Sequence, residues 1–423
     1  MTRGYPLPGS LDVLFVTYGG GHVQMVLPVA QRLQKLGARV CIFALTTAIH
    51  LVRESGLPFF TYADLPQFQD PATRDCGKRL AADLSLSGIL PAIETEAYLG
   101  VNYRDLEQTF GVETAADLWI KGGRQNFQPL NTMRSLLSDV KPALVVGTNS
   151  PRSEKAVIEA ASELGIDAVA MVDMFALQEI KWLSRKDFGC HLFVLDESVR
   201  QRMIQMGRPA DQVTVTGNPA FDSLNNPKVI TAGRKLRADQ GWGHSNRVVI
   251  LSASTPEPEL HPFTGEPANP ALPRMVEDAL REIVAKDPRI ELVIRRHPSE
   301  DQAVIISDRV HASSRSDDVN AVIHAVDLVV VTCSTVGLQA YLAGVPVISV
   351  EGSVFTKDAP YGDYGMATPV QDPTELQAAI SEILLHLRPK SGRGSESTKE
   401  SATDSIATAI MNGLKRGWHV VQT

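Results

Sequence analysis

Short and almost uninterrupted apolar runs alternate with segments of helical period along this chain. Leu11–Tyr18 is the first run, and it is followed by an amphipathic segment, His22–Leu36, and by a second run, Val40–Leu45. Continuous Val, Leu and Ile runs between helices are typical of parallel strands that are covered on both faces. The pattern therefore predicts an α/β fold built on doubly wound parallel sheets.

The alternation occurs twice, which predicts two Rossmann-like domains. The first series ends near Val213–Gly217, and Arg247–Ser252 begins the second. A chain of 423 residues has room for two or three domains of roughly 100–200 residues each. We expect an N-terminal domain over residues 1–222 and a polar, irregular linker over residues 223–246. A C-terminal domain over residues 247–388 and a mobile segment with a terminal helix over residues 389–423 are expected to follow. The further predicted strands are Ala143–Gly147, Ala168–Val172, His191–Leu195, Ile290–Arg295, Leu328–Thr332 and Pro346–Val350.

Composition and missing motifs exclude several classes of protein. With 41 Lys and Arg against 48 Asp and Glu, the net charge of −7 argues against a nucleic-acid-binding protein with a broad basic surface. We predict neither a metal site nor a disulfide framework, because the cysteines lie far apart at Cys41, Cys76, Cys190 and Cys333. Serine-hydrolase and P-loop signatures are absent from the sequence, and the N-terminus has no apolar run of the signal-peptide kind, so we expect a cytoplasmic protein.

The longest apolar stretch, Ala325–Val350, carries Asp327 as its one charge and is long enough to span a bilayer. Gly337, Gly344 and Pro346 interrupt it, and β-branched residues cluster at both of its ends. This punctuation predicts a buried strand, a short helix and a second buried strand instead of a transmembrane segment.

Three glycines and a histidine, Gly19–His22, follow the first predicted strand and open a helix. Glycines let a ligand approach the backbone closely, and N–H groups at a helix N-terminus attract anions. Gln24 stands where a dinucleotide fingerprint has its third glycine. That fingerprint also has an acidic residue after the second strand, and residues 38–53 contain none. Gly20 and Gly21 therefore predict a ligand site without a nicotinamide or flavin cofactor, and a tight turn is the alternative.

Two segments of the second half carry anion-binding chemistry. Arg295, Arg296 and His297 end a predicted strand, where two guanidiniums and an imidazole suit a diphosphate. Ser334 and Thr335 follow another predicted strand and begin a helix, so their hydroxyls and the free N–H groups there form a second anion site. Solvated arginines and simple helix capping are the alternative interpretations.

Three more polar residues lie where predicted strands end. Ser252 closes the first strand of the second half, and Asn218 follows the last strand of the first half, where a simple turn explains it equally well. Asp173 follows the strand Ala168–Val172, where a carboxylate can act as a base. A helix cap or an ion pair is the simpler explanation of Asp173.

These segments, in this order, resemble the GT-B glycosyltransferase superfamily. Val13–Val40 is similar to the start of the transferase of peptidoglycan lipid II synthesis, and Phe193–Leu224 is similar to Kdo transferases and UDP-GlcNAc 2-epimerases. Arg295–Pro298 resembles the His-Pro motif of capsule-type and sialic-acid-type enzymes. Asp327–Ser349 resembles the donor-binding strand, helix and strand that all of these share.

The resemblance implies two Rossmann-like domains that face a cleft, with a nucleotide-sugar donor in the C-terminal domain and an acceptor in the N-terminal domain. It places five residues at the donor phosphates, namely Arg295, His297, Ser334, Thr335 and Gly337. Gln339 stands where these families often have a glutamate that bonds the ribose, and Gly20, Gly21, Asn218 and Ser252 complete the expected donor-binding set. The resemblance implies no metal ion and no cofactor beyond the nucleotide sugar itself.

The expected function is a metal-independent glycosyltransferase that moves a sugar, usually UDP-linked in these families, to a hydroxyl of a sugar, lipid or small-molecule acceptor. Cationic side chains and helix N–H groups would stabilise the charge on the leaving phosphate. His22 is the first candidate base and Asp173 the second. A lipid acceptor would bring the protein to the inner face of the cell membrane through a peripheral contact.

Three other functions stay open at this point. A non-hydrolysing UDP-sugar 2-epimerase shares the architecture, and the acidic residues in Glu94–Glu107 could transfer protons. That family carries an arginine soon after its first strand, whereas this chain has none between Arg3 and Arg32. A nucleotide-sugar hydrolase, related to those of pseudaminic-acid synthesis, and a non-catalytic nucleotide-sugar-binding protein are the other two.

Overall fold

The computed structural model divides the chain into two compact units. It describes residues 3–82, 90–242, 247–262, 264–297, 299–300, 302–386 and 400–418. The first unit comprises Met1–Ala220 with Lys399–Thr423, and the second comprises Phe221–Thr398. Each unit is built on one parallel sheet, so the predicted fold class, α/β with two Rossmann-like domains, is confirmed. Among the described residues, no helix is both long enough and apolar enough to cross a membrane.

The first sheet contains, within the described residues, the strands β1 (Val13–Thr17), β2 (Val40–Ala44), β3 (Phe59–Phe60), β4 (Leu144–Thr148), β5 (Asp167–Met171), β6 (His191–Val194) and β7 (Val213–Val215). Their order is β3-β2-β1-β4-β5-β6-β7. The helices of this unit are α1 (Gly21–Lys35), α2 (Ala48–Ser55), α3 (Pro71–Ala82), α4 (Ala92–Phe110), α5 (Val112–Gly122), α6 (Leu130–Val140), α7 (Ser153–Glu163), α8 (Ile180–Leu183), α9 (Glu197–Gln205) and, near the C-terminus, α15 (Ala402–Arg416).

The strand order of this sheet reverses at β1, whose Val13 is in register with Val40 of β2 on one side and with Leu144 of β4 on the other. Every residue of β1, β2 and β4 is buried, which explains why their sequences are continuous apolar runs. In a doubly wound sheet, ligands bind at the carboxyl ends of the strands where the order reverses. The ends of β1 and β4 therefore mark the first place to look for a site.

The second sheet contains, in the part of the chain that is described, β8 (Val248–Ser252), β9 (Ile290–Arg295), β10 (Val310–Ser313), β11 (Leu328–Val331), β12 (Val347–Val350) and β13 (Thr368–Val370). Their order is β10-β9-β8-β11-β12-β13, and all the pairs are parallel. The helices are α10 (Pro227–Asp239), α11 (Leu272–Lys286), α12 (Val319–Ala325), α13 (Thr335–Leu342) and α14 (Leu376–His386). The apolar stretch of this unit is the predicted strand, helix and strand, formed by β11, α13 and β12.

The residues expected to form an irregular linker, 223–246, contain a helix instead. Asn226 caps α10 by accepting a hydrogen bond from the N–H of Lys228, and α10 packs against α12 in the second unit. The contact is close, because a Cβ built on Gly233 would lie 2.6 Å from the carbonyl oxygen of Ala321. The sequence concealed this helix because Gly233 is its one buried residue, which leaves no apolar stripe to detect.

The C-terminal segment also differs from the expectation in part. A terminal helix was predicted, and α15 is present, but it belongs to the first unit. Ile406, Ala407 and Ile410 of α15 join the core cluster around β1 and α1. The predicted mobile stretch, residues 389–399, lies outside the described residues.

Helices α3 and α4 touch through their backbones at two glycines. A Cβ built on Gly100 would lie 2.4 Å from the carbonyl oxygen of Thr73 and 3.1 Å from the Cα of Gly77. Real Cβ atoms do not tolerate such distances, so any side chain at Gly100 must push the two helices apart.

We expect Gly100→Ala to lower the free energy of unfolding by about 1–3 kcal/mol, although alanine is the better helix former. Urea denaturation followed by circular dichroism measures the change. Gln108→Ala, on an exposed position of the same helix, is the matched control and should change stability by less than about 0.5 kcal/mol. A Gly100→Ala protein as stable as the wild type would show that α3 and α4 are not in close contact.

Candidate functional site

The turn between β1 and α1 exposes backbone at the carboxyl end of the first sheet. Gly20 has φ 70° and ψ −138°, a conformation that favours glycine, and helix α1 begins at the next residue. A Cβ built on Gly21 would meet no described atom within 4 Å, so the space in front of this residue is open. The predicted ligand role of Gly20 and Gly21 stays a prediction, and the turn provides room for it.

His22 is connected to a buried carboxylate through a threonine. Its Nδ1 lies 2.8 Å from the Oγ1 of Thr148, the last residue of β4. The Thr148 hydroxyl in turn hydrogen-bonds the carboxylate of Glu154, whose exposure is 0%. Glu154 also accepts hydrogen bonds of 2.7 Å from the backbone N–H groups of Tyr18 and Thr148. A residue from α7 thus holds the ends of β1 and β4 together beside the imidazole.

Burial raises the pKa of the Glu154 carboxyl, because water cannot solvate its charge. The nearby His22 and the hydrogen bonds from Thr148 and Tyr18 act in the opposite direction and favour the charged form. Burial also raises the pKa of the Tyr18 phenol well above its usual value. This hydroxyl is 2.8 Å from the Oγ of Ser153 and stays protonated at neutral pH.

Arg152 reaches the same sheet end from the loop that precedes α7. Its guanidinium carbon lies 4.8 Å from the centre of the Tyr18 ring, a cation–π contact. Its φ of 67° is unusual for a residue with a side chain. The Nε atom of Arg152 is buried and has no hydrogen-bond partner among the described residues. The site therefore contains one strained arginine that local sequence did not single out.

Asp173 and Asn218, both predicted as site residues, are in direct contact. The Asn218 side-chain amide donates to the carbonyl oxygen of Asp173 at 2.7 Å. The carboxylate of Asp173 accepts from the Asn149 amide at 3.0 Å, and the Asp173 N–H donates to the oxygen of the same amide at 3.0 Å. Asn149 is adjacent to Thr148, so one edge of the sheet carries these residues and His22.

Three of the four acidic residues of α4, namely Glu94, Asp105 and Glu107, are engaged in contacts of their own. Glu94 is paired with Arg3 at 2.7 Å, and its side chain is 2% exposed. Asp105 accepts two hydrogen bonds of 2.6 Å from Thr132. Glu107 pairs with Arg104. Glu94 and Asp105 thereby connect α4 to other parts of the chain, and Glu107 pairs within the helix, so these three acids serve as structural partners.

Arg295 and Arg296 of the second unit both bond to the chain itself. The Arg295 guanidinium donates to the Ser313 hydroxyl at 2.9 Å and to the carbonyl oxygens of Ser314 and Asp317 at 2.9 and 3.1 Å. Burial lowers the pKa of Arg295, and Asp317 counteracts the shift. Arg296 pairs with Glu277 at 2.6 Å. Both arginines stabilise the loops around the end of β9, and the predicted phosphate contact of Arg295 stays a prediction.

One ring nitrogen of His297 is hydrogen-bonded within the chain. Its Nδ1 accepts a hydrogen bond from the N–H of Ser299 at 3.2 Å and lies 2.7 Å from the hydroxyl of the same residue. Because Nδ1 acts as an acceptor, the proton of the neutral ring is on Nε2, which can donate to a ligand. Burial lowers the pKa of His297. Pro298, which follows it, lies outside the described residues.

The residues after β11 have roles within the chain as well. Ser334 caps α13 by accepting from the N–H of Val336, and Thr335 is exposed at the first position of that helix. A Cβ on Gly337 would lie 2.9 Å from a methyl of Val331, so glycine is needed for packing. The Gln339 amide donates to Asn320 at 3.0 Å. Helix capping and packing thus account for much of this segment.

The strand order determines the distance between the ends of β9 and β11, the two predicted anion-binding positions. Arg295 ends β9 and Ser334 follows β11, and β8, which ends at the buried Ser252, lies between these strands. At about 4.8 Å per strand, the two strand ends are about 10 Å apart. The structure therefore brings Ser252 between them but does not join Arg295 and Ser334 directly.

Four residues at the first site were not singled out from the sequence, namely Thr148, Asn149, Arg152 and Glu154. The sequence does contain a pattern that indicates Thr148 and Asn149 as candidate site residues, because the polar run Thr148–Ser150 directly follows an apolar strand. Glu154 gave no signal, since a glutamate in the first turn of a helix is ordinarily solvated. Among the described residues, no group of three or more His, Cys, Asp or Glu side chains is placed to hold a metal ion.

Part of the chain matches the sequence model of an enzyme family. The sequence model of the UDP-N-acetylglucosamine 2-epimerase family matches residues 184–354. No curated protein sequence matches the chain significantly. The fold is similar to that of the UDP-GlcNAc 2-epimerase from Neisseria meningitidis bound to UDP-GlcNAc, with a TM-score of 0.57, 14% identity, and coverage of 95% of this chain and 99% of that one.

Two further solved structures have the same architecture. The UDP-GlcNAc 2-epimerase from Methanocaldococcus jannaschii, in complex with UDP-GlcNAc and UDP, has a TM-score of 0.57 at 12% identity and covers 95% of this chain and 100% of that one. The glycotransferase of kitacinnamycin has a TM-score of 0.51 at 14% identity and covers 97% of this chain and 95% of that one. At these identities the similarity establishes the fold, which agrees with the GT-B resemblance.

The expected main function, a glycosyltransferase, is wrong. The finding that overturns it is the family match, because the model that fits residues 184–354 is that of a 2-epimerase. The expected acceptor substrate and the contact with a membrane face have no support either. The transferase expectation arose because the two enzyme classes share their fold and the strand, helix and strand of the donor half.

Proposed function

We propose that this protein is a UDP-sugar 2-epimerase, an enzyme that inverts carbon 2 of UDP-GlcNAc or a close relative without a second substrate. The observation that carries the proposal is the family match over residues 184–354. This range extends past β12 and includes the ends of β8, β9 and β11. Solved 2-epimerases with matching folds over nearly their whole length support it.

Epimerisation at carbon 2 sets two chemical requirements. A proton must leave carbon 2 on one face of the sugar, and a proton must arrive on the other, so acid–base groups are needed. The diphosphate must also be held by cations or N–H donors. For the second task, we propose the donor-binding set that includes Arg295, His297, Ser334 and Thr335, because a helix N-terminus and charged donors are present at these strand ends.

For the acid–base task we propose His22, with Asp173 as the second candidate. The acids of α4 are less suited, since Glu94 and Asp105 are buried and bonded to Arg3 and Thr132. His22 is half-buried at the end of β1, and no described residue bonds to its Nε2. Histidine is the side-chain type that most often serves as a general acid or base.

The decisive assay uses UDP-GlcNAc alone in deuterated water and follows the sugar by proton NMR. We expect the signals of the carbon 2 epimer, UDP-ManNAc, to appear, and the carbon 2 proton to be replaced by deuterium. Neither change requires an acceptor. Release of free sugar instead would indicate a nucleotide-sugar hydrolase. An unchanged spectrum, together with stabilisation of the protein by UDP in a thermal-shift measurement, would indicate a binding protein.

A further inference from the structure

We infer that Thr148 and Glu154 are positioning residues that hold His22 in its Nδ1–H tautomer, so that Nε2 presents a lone pair at the carboxyl edge of the first sheet. Successive hydrogen bonds connect the side chains of His22, Thr148 and Glu154. His22 Nδ1 is 2.8 Å from Thr148 Oγ1, and the Thr148 hydroxyl bonds Glu154. The family match, over residues 184–354, covers neither Thr148 nor Glu154.

The number of available protons determines the direction of these hydrogen bonds. A threonine hydroxyl has one proton to donate and two lone pairs to accept with, whereas an ionised carboxylate can accept only. The proton of Thr148 is therefore directed to Glu154. One lone pair of the same oxygen accepts from the N–H of Ser150 at 3.2 Å, and the other faces His22. A contact of 2.8 Å to that lone pair requires that Nδ1 of His22 carry a proton.

Burial raises the pKa of Glu154, whereas the backbone N–H groups of Tyr18 and Thr148, which can only donate, favour the ionised form on which this direction depends. One carboxylate oxygen accepts from the N–H of Tyr18, and the other accepts from the N–H and the hydroxyl of Thr148. Hydrogen bonds to an ionised acceptor are about twice as strong as those between neutral groups. A protonated Glu154 would donate to Thr148, the threonine would donate to Nδ1, and the His22 proton would move to Nε2.

The tautomer decides what His22 can do. In a neutral imidazole the nitrogen without a proton is the acceptor, and the hydrogen bond at the other nitrogen selects it. With Nδ1–H held by Thr148, Nε2 is ready to take a proton from a substrate. That use in catalysis rests on the proposed function, whereas the tautomer itself does not.

Histidine NMR on the full-length wild-type protein tests the inference directly. Protein labelled with 15N in its histidines gives distinct shifts for protonated and unprotonated ring nitrogens, and the His22→Gln variant identifies the His22 signals by their loss. For the neutral imidazole of His22, we expect protonated Nδ1 and unprotonated Nε2. A pure Nε2–H form in the wild-type protein, or rapid exchange between the two tautomers, would overturn the inference.

Two variants then assign the effect to Thr148. Thr148→Val removes the acceptor at similar volume, so we expect the single Nδ1–H form to give way to a mixture or to Nε2–H. Thr148→Ser keeps the hydroxyl and should keep the wild-type pattern. A Thr148→Val protein that folds and still shows the pure Nδ1–H form would show that Thr148 does not select the tautomer.

Turnover measurements separate this inference from the proposed function. With UDP-GlcNAc as substrate, we expect Thr148→Val to lower kcat by about 100-fold, within the range of acid–base catalysis, and to leave the Kd for UDP unchanged. Thr148→Ser should retain most of kcat. If the wild-type protein has no epimerase activity, the proposed function fails while the NMR result still decides the tautomer. If activity is present and the wild-type tautomer is Nε2–H, only the inference fails.

Discussion

Replacing His22 by alanine is expected to lower kcat for the epimerisation of UDP-GlcNAc by about 100- to 10,000-fold, which is the usual contribution of a general acid or base. His22 carries an imidazole, the side chain most often used in acid–base catalysis, and no described residue bonds to its Nε2. Affinity for UDP should stay the same, because the residues proposed to hold the diphosphate belong to the second unit.

We would measure kcat from the exchange of the carbon 2 proton by NMR. Isothermal titration calorimetry with UDP would give the affinity. His50→Ala is the matched control, because His50 lies in α2, has a side chain that is 67% exposed and contacts only Glu54 among the ion pairs described. It should change neither quantity. A His22→Ala enzyme with wild-type kcat would remove His22 from the mechanism, and a large loss of UDP affinity would place His22 at the nucleotide instead.

Replacing Arg208 by alanine is expected to lower the free energy of unfolding by about 3–5 kcal/mol. Arg208 is 1% exposed, and its guanidinium donates to four backbone carbonyl oxygens. Those carbonyls belong to Leu183, Arg185, Phe188 and Gly189, which lie between the end of α8 and the start of β6. Burial lowers the pKa of Arg208 to about 10, so the side chain is still charged at neutral pH.

The loss arises because alanine leaves buried carbonyl oxygens unpaired and a cavity where the side chain was. Arg208→Lys keeps the charge but cannot reach four acceptors with one ammonium, so it should also be clearly destabilised. Arg134→Ala removes an exposed arginine paired with Glu163 and should have a far smaller effect. Urea denaturation measures all three. Equal stability of Arg208→Ala and Arg134→Ala would show that the carbonyl contacts contribute little.

The strands could be predicted because their sequences report burial on both faces. Ile290–Arg295 was predicted as a strand and is β9 with the same bounds, and every residue but Arg295 is buried. The edge strands β3 and β13 were not predicted, since they contain two and three residues and pair on one side. Helix α10 was missed for a related reason, because it buries little apolar surface and packs through Gly233.

Residues of the candidate site could be predicted only where the pattern that indicates them lies within a few neighbouring positions of the sequence. His22 was found because a glycine turn and a helix start lie beside it in the sequence. Its partner Thr148 is 126 positions away, and only the pairing of β1 with β4 brings them together. The phosphate contact of Arg295 was suggested by its local position and stays a prediction. Its hydrogen bonds to the end of β10 and to the loop after β10 could be seen only in the structure.

The sequence by itself determined the α/β class, the two parallel sheets and the strand ends that carry polar residues, because burial and chain direction are encoded in the local order of side chains. The tertiary structure alone decided which of those polar residues meet. Glu154 looks like an ordinary helix residue in the sequence, yet folding buries it against β1 and β4, and a buried carboxylate must find donors. That requirement, set by the loss of water, aligns Thr148 and through it His22.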